Sequence, residues 1–215
     1  MQAIKAVIFD MDGVIIDSEP LWRRAMIAGF NDIGINFTDE DCRKTTGMRF
    51  KEVVEHWFSH HKIEGHSPEE LDNKVISHLI DLINTEGKPM TGTLEALSFL
   101  KQKNYKIGLA TSSSNKLVEA VLNKLQIHHC FSAITSAEFL EFGKPHPEVF
   151  LNCAQTLQTA PQHCLVIEDS LNGILAAKAA QMKVVAIPDA EHAAHPHFVI
   201  ADYNFNNLLE FIKLL

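Results

Sequence analysis

Four short stretches of this chain are almost purely apolar: Ala6–Phe9 (AVIF), Lys106–Ala110 (KIGLA), Leu165–Ile167 (LVI) and Val184–Ile187 (VVAI). A strand with one solvated face alternates polar and apolar residues, so an unbroken run implies cover on both faces. Between these runs lie helical patterns at Thr93–Lys103, Ser114–Leu125, Glu148–Leu157 and Leu171–Ala180. Strands alternating with helices imply right-handed crossovers and an open parallel sheet. The expected fold is therefore α/β: a Rossmann-like parallel core with helices on both faces. At 215 residues, 46% hydrophobic and 21% charged, the chain has ordinary globular composition and enough length for a sizeable core.

From about Pro20 to about Glu86 the alternation stops. Helical patterns follow one another at Leu21–Ile33, near Asp39–Lys44, at Phe50–His61 and at Pro68–Thr85, with no buried strand among them. The stretch is expected to be an inserted all-helical cap. The division predicted is a core of residues 1–16 and 87–215 and a cap of residues 17–86, hinged near Asp17–Glu19 and Gly87–Pro89. No repeat or low-complexity tract is visible.

The formal net charge is -8, with no basic block, which argues against a nucleic-acid binder. A phosphate site in such a chain must supply its own local positive charge. Cys42, Cys130, Cys153 and Cys164 form no CxxC pair and read as small buried residues of a reducing compartment. The apolar N-terminal stretch is interrupted by Asp10, Asp12 and Asp17, whereas a membrane span needs roughly 20 apolar residues. The expectation is a cytoplasmic protein without membrane association, and a monomer.

In open parallel sheets, ligands bind beyond the carboxyl ends of the strands. The first run is followed by Asp10-Met11-Asp12-Gly13, the second by Thr111-Ser112-Ser113-Ser114 and the third by Glu168-Asp169-Ser170; Lys144 precedes another helix. Each piece alone has a bland reading as a capped turn, a helix cap or a solvated loop. Their ordered occurrence at successive strand ends points to one site. Asp10, Asp12, Glu168 and Asp169 would bring four carboxylates together, whose repulsion calls for a hard cation such as Mg2+. Lys144 would neutralise a transferring phosphoryl group, and Thr111 with nearby backbone N–H groups would hold phosphate oxygens. With an ordinary aspartate pKa of about 3.9, Asp10 is an ionised nucleophile needing no base, and Asp12 can serve as acid and base. Gly13 would relieve crowding in the turn between them.

The strings DMDGVIIDS, LATSS, KPHP and VIEDSLNGILAAKAA, in this order, resemble the motifs of the haloacid dehalogenase superfamily of aspartate-dependent phosphotransferases. The helical insert is similar to the C1 cap of the subgroup containing β-phosphoglucomutase and small phosphatases. The resemblance implies Asp10 as nucleophile and Asp12 as acid/base. It implies magnesium held by the Asp10 side chain, the Asp12 main-chain carbonyl and Asp169, with Glu168 acting through bound water. It also implies phosphoryl binding by Thr111, Ser112 and Lys144, and Ser113 is a further expected substrate contact. A dehalogenase would lack the second aspartate and the metal.

The strings SEPLW, GMRFKEVVEHWF and GKPHPEVFLNCA are similar to the group of 2-deoxyglucose-6-phosphate and hexitol phosphatases. Trp22 stands where β-phosphoglucomutase has a cap-hinge histidine, and the spacing from Gly47 to Arg49 is one residue shorter than in that enzyme. Hydrolysis of a small phosphate monoester, a hexose or hexitol phosphate, is therefore expected, with a mutase as the alternative. Gly47, Arg49, Lys51 and Trp22 are the expected contacts to the rest of the substrate. Trp57 and Phe58 read as core, and His56 with His60 as surface histidines without a third metal ligand. His192, His195 and His197 suggest no function. A receiver-type signalling switch is disfavoured by the large insert and by Thr111 at the middle strand's end. A quiet metabolite-binding subunit is disfavoured by the intact acidic set.

Overall fold

The structure is a computed structural model that describes residues 4–45, 48–189 and 195–215. In chain order its strands are β1 (Ala6–Phe9), β2 (Lys106–Thr111), β3 (Ala133–Ser136), β4 (Cys164–Glu168), β5 (Lys183–Ala186) and β6 (Tyr203–Asn204). The α-helices are α1 (Glu19–Asn31), α2 (Asp39–Lys44), α3 (Phe50–His61), α4 (Pro68–Glu86), α5 (Thr93–Gln102), α6 (Asn115–Leu125), α7 (Glu148–Thr156), α8 (Leu171–Ala179) and α9 (Leu208–Phe211).

All six strands are parallel, in the order β3-β2-β1-β4-β5-β6. The chain runs outward from β1 to β3, then returns to place β4 on the other side of β1. Connections on either side of the β1–β4 seam thus diverge, which opens a crevice at the carboxyl ends of those two strands. Asp10 and Glu168 stand there, their segments joined by the bond from Asp10 N to Ile167 O at 2.9 Å.

The apolar runs are explained by two separate packed layers. Val7, Phe9, Leu109, Leu165 and Ile167 belong to one, and Ala6, Ile8, Ala110, Cys164 and Val166 to the other. Side chains alternate along a strand, so neighbours feed opposite layers and neither face remains polar. The first layer includes buried residues of α5, α6 and α9, the second those of α7 and α8. Helices on both faces are therefore observed, as expected.

β3 and β6 escape sequence reading. They are edge strands, and only Ala133 of β3 is fully buried, so neither has an apolar run. The helical patterns between Pro20 and Glu86 are found within two residues of their expected ends. Residues Ser67 and Pro68 start α4: the Ser67 hydroxyl accepts from Glu70 N, and Pro68 fills the first turn. α1 packs extensively on α4, and Phe30, Phe37, Trp57, Leu71, Leu79 and Ile83 form a buried interior continuous with the first sheet layer. Trp57 is core, its ring edge-on to Phe37. The two connections between sheet and helices run side by side: Asp17 N donates to Lys88 O at 3.0 Å, and Met90 N to Ile15 O at 3.0 Å. All four cysteines are free thiols. No helix among the described residues is long and apolar enough to cross a membrane.

Candidate active site

Where β1 ends, the chain turns back on itself through Asp10–Ile16. Gly13 sits at φ +73°, and a Cβ on it would run into Asp169 Oδ2. Both the left-handed backbone and the close approach of the β4 turn demand glycine.

Lys144 organises the rim. It lies in the loop before α7, only 8% exposed, and reaches over the ring of Phe150. Its Nζ donates to Asp10 Oδ1 at 2.6 Å and to Glu168 Oε1 at 2.6 Å, with Ala110 O at 3.4 Å. The second oxygen of Glu168 accepts from Asp169 N, Ser170 N and Ser170 Oγ at 2.9–3.1 Å. Glu168 is 0% exposed, so both oxygens find partners within the protein. Ser170 also caps α8 by accepting from Gly173 N, and a Cβ on Gly173 would overlap the Glu168 carboxylate. This is why the EDSxxG string has its spacing: carboxylate, cap and clearance act on one group.

Asp10, Glu168 and Asp169 each offer an oxygen, all within 4.8 Å of one another. Burial raises the Asp10 carboxyl to about 7; Lys144 pulls it down, and Glu168 and Asp12 add repulsion. Asp169 is also pushed well up, by burial first and then by Glu168 and Asp10. The neighbours hold Lys144 firmly protonated, its pKa raised despite burial by Asp10 and Glu168.

The Asp12 side chain does not join that group, contrary to the expected cluster of four. Its Oδ1 accepts from Ser18 Oγ at 2.5 Å and Trp22 Nε1 at 3.0 Å, and its Oδ2 from Ser113 Oγ at 2.6 Å. The two aspartates of one short motif thus occupy different surroundings, one against an ammonium and carboxylates, the other among neutral donors. Trp22 reaches this position from the first turn of α1 with its ring against Phe50. Thr111 is 1% exposed, and its hydroxyl accepts from Ser113 N at 3.1 Å, which shapes the turn after β2.

A cavity of about 740 Å3 opens over these groups. Its floor includes Asp10, Asp12, Thr111, Ser112, Ser113, Lys144 and Asp169; its walls include Trp22, Arg49 and Lys51. The structure therefore brings every described residue of the expected site to one cavity except Glu168, which lies beneath it. Gly47 lies outside the described residues, as does His192. Arg49 is differently used than its position suggested: it donates to Ala137 O at 3.3 Å and Leu140 O at 2.9 Å and pairs with Glu52 at 3.0 Å. Sequence reading missed the Ser18 and Trp22 bonds to Asp12, and also Asp72, Glu138 and Phe139 on the cavity wall. A hydroxyl six residues after an aspartate is a faint signal; the wall residues give none.

Comparison with known proteins agrees with this arrangement. Residues 7–187 match the family model described as haloacid dehalogenase-like hydrolase. Hexitol phosphatase B of Escherichia coli (strain K12) is 38% identical over 208 residues, covering 96% of this chain and 94% of that protein. The phosphorylated carbohydrates phosphatase of Thermotoga maritima is 32% identical, covering 82% of each. Among solved structures, β-phosphoglucomutase of Clostridium difficile superposes with a TM-score of 0.82 at 28% identity, covering 98% of this chain and 96% of that one. CbbY of Rhodobacter sphaeroides, in complex with phosphate, has a TM-score of 0.89 at 24% identity, with 97% and 96% covered, and shows the shared fold. The chain belongs to the haloacid dehalogenase-like hydrolase family and is an enzyme, a phosphoric monoester hydrolase of that family.

Proposed function

We propose that the enzyme is a magnesium-dependent phosphatase of small sugar phosphates, hexose or hexitol monophosphates, working through an aspartyl-phosphate on Asp10. The observation that carries this reading is the contrast between two aspartates over one cavity. Asp10 is bonded to Lys144, and Asp12 to three neutral donors. The names of the two phosphatase relatives supply the substrate class.

The acidic group fits a hard divalent cation: its donors are all oxygens, they lie within 4.8 Å, and burial, with their mutual repulsion added, raises Asp10 and Asp169. Asp10 and Asp169, with the Asp12 carbonyl, would hold it, and Glu168 would support it from below. When bound, magnesium would neutralise these carboxylates and draw charge from the phosphoryl oxygens.

The protein's own groups do the rest. An Asp10 oxygen attacks phosphorus, and the ester P–O bond breaks. Asp12 gives its proton to the departing alkoxide. Trp22 Nε1 can only donate, so Oδ1 remains an acceptor and the proton transfers fall to Oδ2, whose partner, the Ser113 hydroxyl, donates to it here and can turn to accept. Asp12 then takes a proton from water, which attacks the acyl phosphate and releases inorganic phosphate with Asp10 restored. Lys144 stays charged throughout and offsets the phosphoryl oxygens. Residues 17–86 serve as a cap over the core formed by 1–16 and 87–215 and exclude bulk water during transfer.

The test is phosphate release from a panel of hexose and hexitol monophosphates with magnesium and with EDTA, joined to a quench with hydroxylamine. Metal-dependent release and a hydroxylamine-sensitive label on Asp10 are expected. Release undiminished in Asp10→Asn would refute the assignment.

A further inference from the structure

We propose that the helical wall of the cavity selects esters whose far end carries hydroxyl groups without charge, and rejects esters with a second anion. This rests on the phosphatase reading of the same cavity and narrows its substrate class.

The wall is acidic. Glu55 from α3, Glu69 and Asp72 from α4, and Glu138 from the loop after β3 all line it. Asp72 and Glu138 approach each other from the helical segment and the core. The Asp72 carboxyl is raised first by its half-buried setting and next by Glu138, against the opposing pull of Lys116 and Lys51. The arginines that could offset this wall are engaged with the protein. Arg23 pairs with Glu19 at 3.2 Å and with Asp39 at 3.1 Å. Arg49 holds Glu52 and two carbonyls of the 137–140 loop, and its Nε is enclosed beside Gly143. Three of the five guanidinium N–H groups of Arg49 are thus committed to the protein and a fourth, on Nε, is enclosed. Lys51 also lines the cavity, but it faces more carboxylates than it can balance.

The consequences for a ligand are opposite for hydroxyl and anion. A hydroxyl donates to a carboxylate, and such charge-assisted bonds are strong. A phosphate or carboxylate has no proton to offer and meets like charge, screened least at the half-buried Asp72 and its neighbour Glu138. The phosphoryl end escapes this penalty because Lys144 lies beneath it. A bisphosphate, which a mutase needs, is the ligand this wall disfavours most.

The experiment compares sorbitol 6-phosphate with 6-phosphogluconate, which differ only in a terminal CH2OH or carboxylate, and glucose 6-phosphate with glucose 1,6-bisphosphate. The anionic member of each pair is expected to have kcat/KM lower by at least about ten-fold, mainly through KM, because like-charge juxtaposition is costly. Raising ionic strength should narrow the gap, as should Asp72→Asn and Glu69→Gln. Equal kcat/KM within both wild-type pairs overturns the selectivity while leaving the phosphatase intact. No hydrolysis of any neutral-tailed ester, with isomerisation once glucose 1,6-bisphosphate is added, overturns the phosphatase reading and the selectivity with it.

Discussion

The rim of the sheet and the helical segment wall one cavity with side chains in opposite circumstances. At the rim Asp10, Thr111, Lys144 and Glu168 are all buried and tied by bonds that cross more than 100 residues of chain for Lys144 and Asp10. On the helical side the cavity's Glu55 and Glu69 are exposed, and outside the cavity charged groups pair on exposed side chains, such as Arg24–Glu86, Arg43–Asp39 and Lys74–Glu70. Buried ions hold position because releasing one leaves its partner uncompensated. Exposed ions are screened by water and leave little mark on stability. The fixed half suits a reaction common to all phosphate esters, and the adaptable half suits the choice among them.

Substitutions graded by depth put this contrast at risk. Asp10→Asn should lower phosphate release by at least about 10⁴-fold, the loss of a covalent nucleophile, while retaining the wild-type circular dichroism spectrum. Lys144→Met should lose activity and also about 3–5 kcal/mol in denaturant unfolding, because Asp10 and Glu168 would face each other buried and unpaired. A small stability change there would show that the rim is no more fixed than the surface. Gly173→Ala touches no cavity atom, yet its Cβ would displace the Glu168 carboxylate. A cost of about 1–3 kcal/mol and slowed turnover are expected, measured by melting and kinetics on one preparation.

Trp22→Phe keeps the ring against Phe50 but removes the only donor-only group on Asp12 Oδ1 among the described bonds. A kcat about ten-fold lower is expected, as for a lost hydrogen bond to a charged group, with KM little changed. An altered KM with normal kcat would reassign Trp22 to substrate contact. Arg24→Ala, which breaks the exposed pair with Glu86, should leave both the unfolding midpoint and the kinetics where they were. A clear shift would mean that the helical surface contributes more than its exposure suggests.

What could be read from the sequence had short-range causes. A strand covered on both faces has to be apolar throughout, so β1, β2, β4 and β5 announced themselves. Gly13 was legible in its motif because it answers a local backbone demand, whereas the clearance that Gly173 gives the Glu168 carboxylate shows only in the structure. The strand-end rule then put Asp10, Thr111, Glu168 and Asp169 on one rim before any coordinates. β3 and β6 were illegible because an edge strand pairs through its backbone and needs no apolar run. The packed chain decided the rest: the β1–β4 seam, the turning of Asp12 toward Ser18, Trp22 and Ser113, and the capture of Arg49 by the 137–140 loop. These depend on which distant surfaces meet. Sequence spacing fixes neighbours along a strand or helix; only packing fixes the neighbours across it, and the acidic wall of the cavity is made of those.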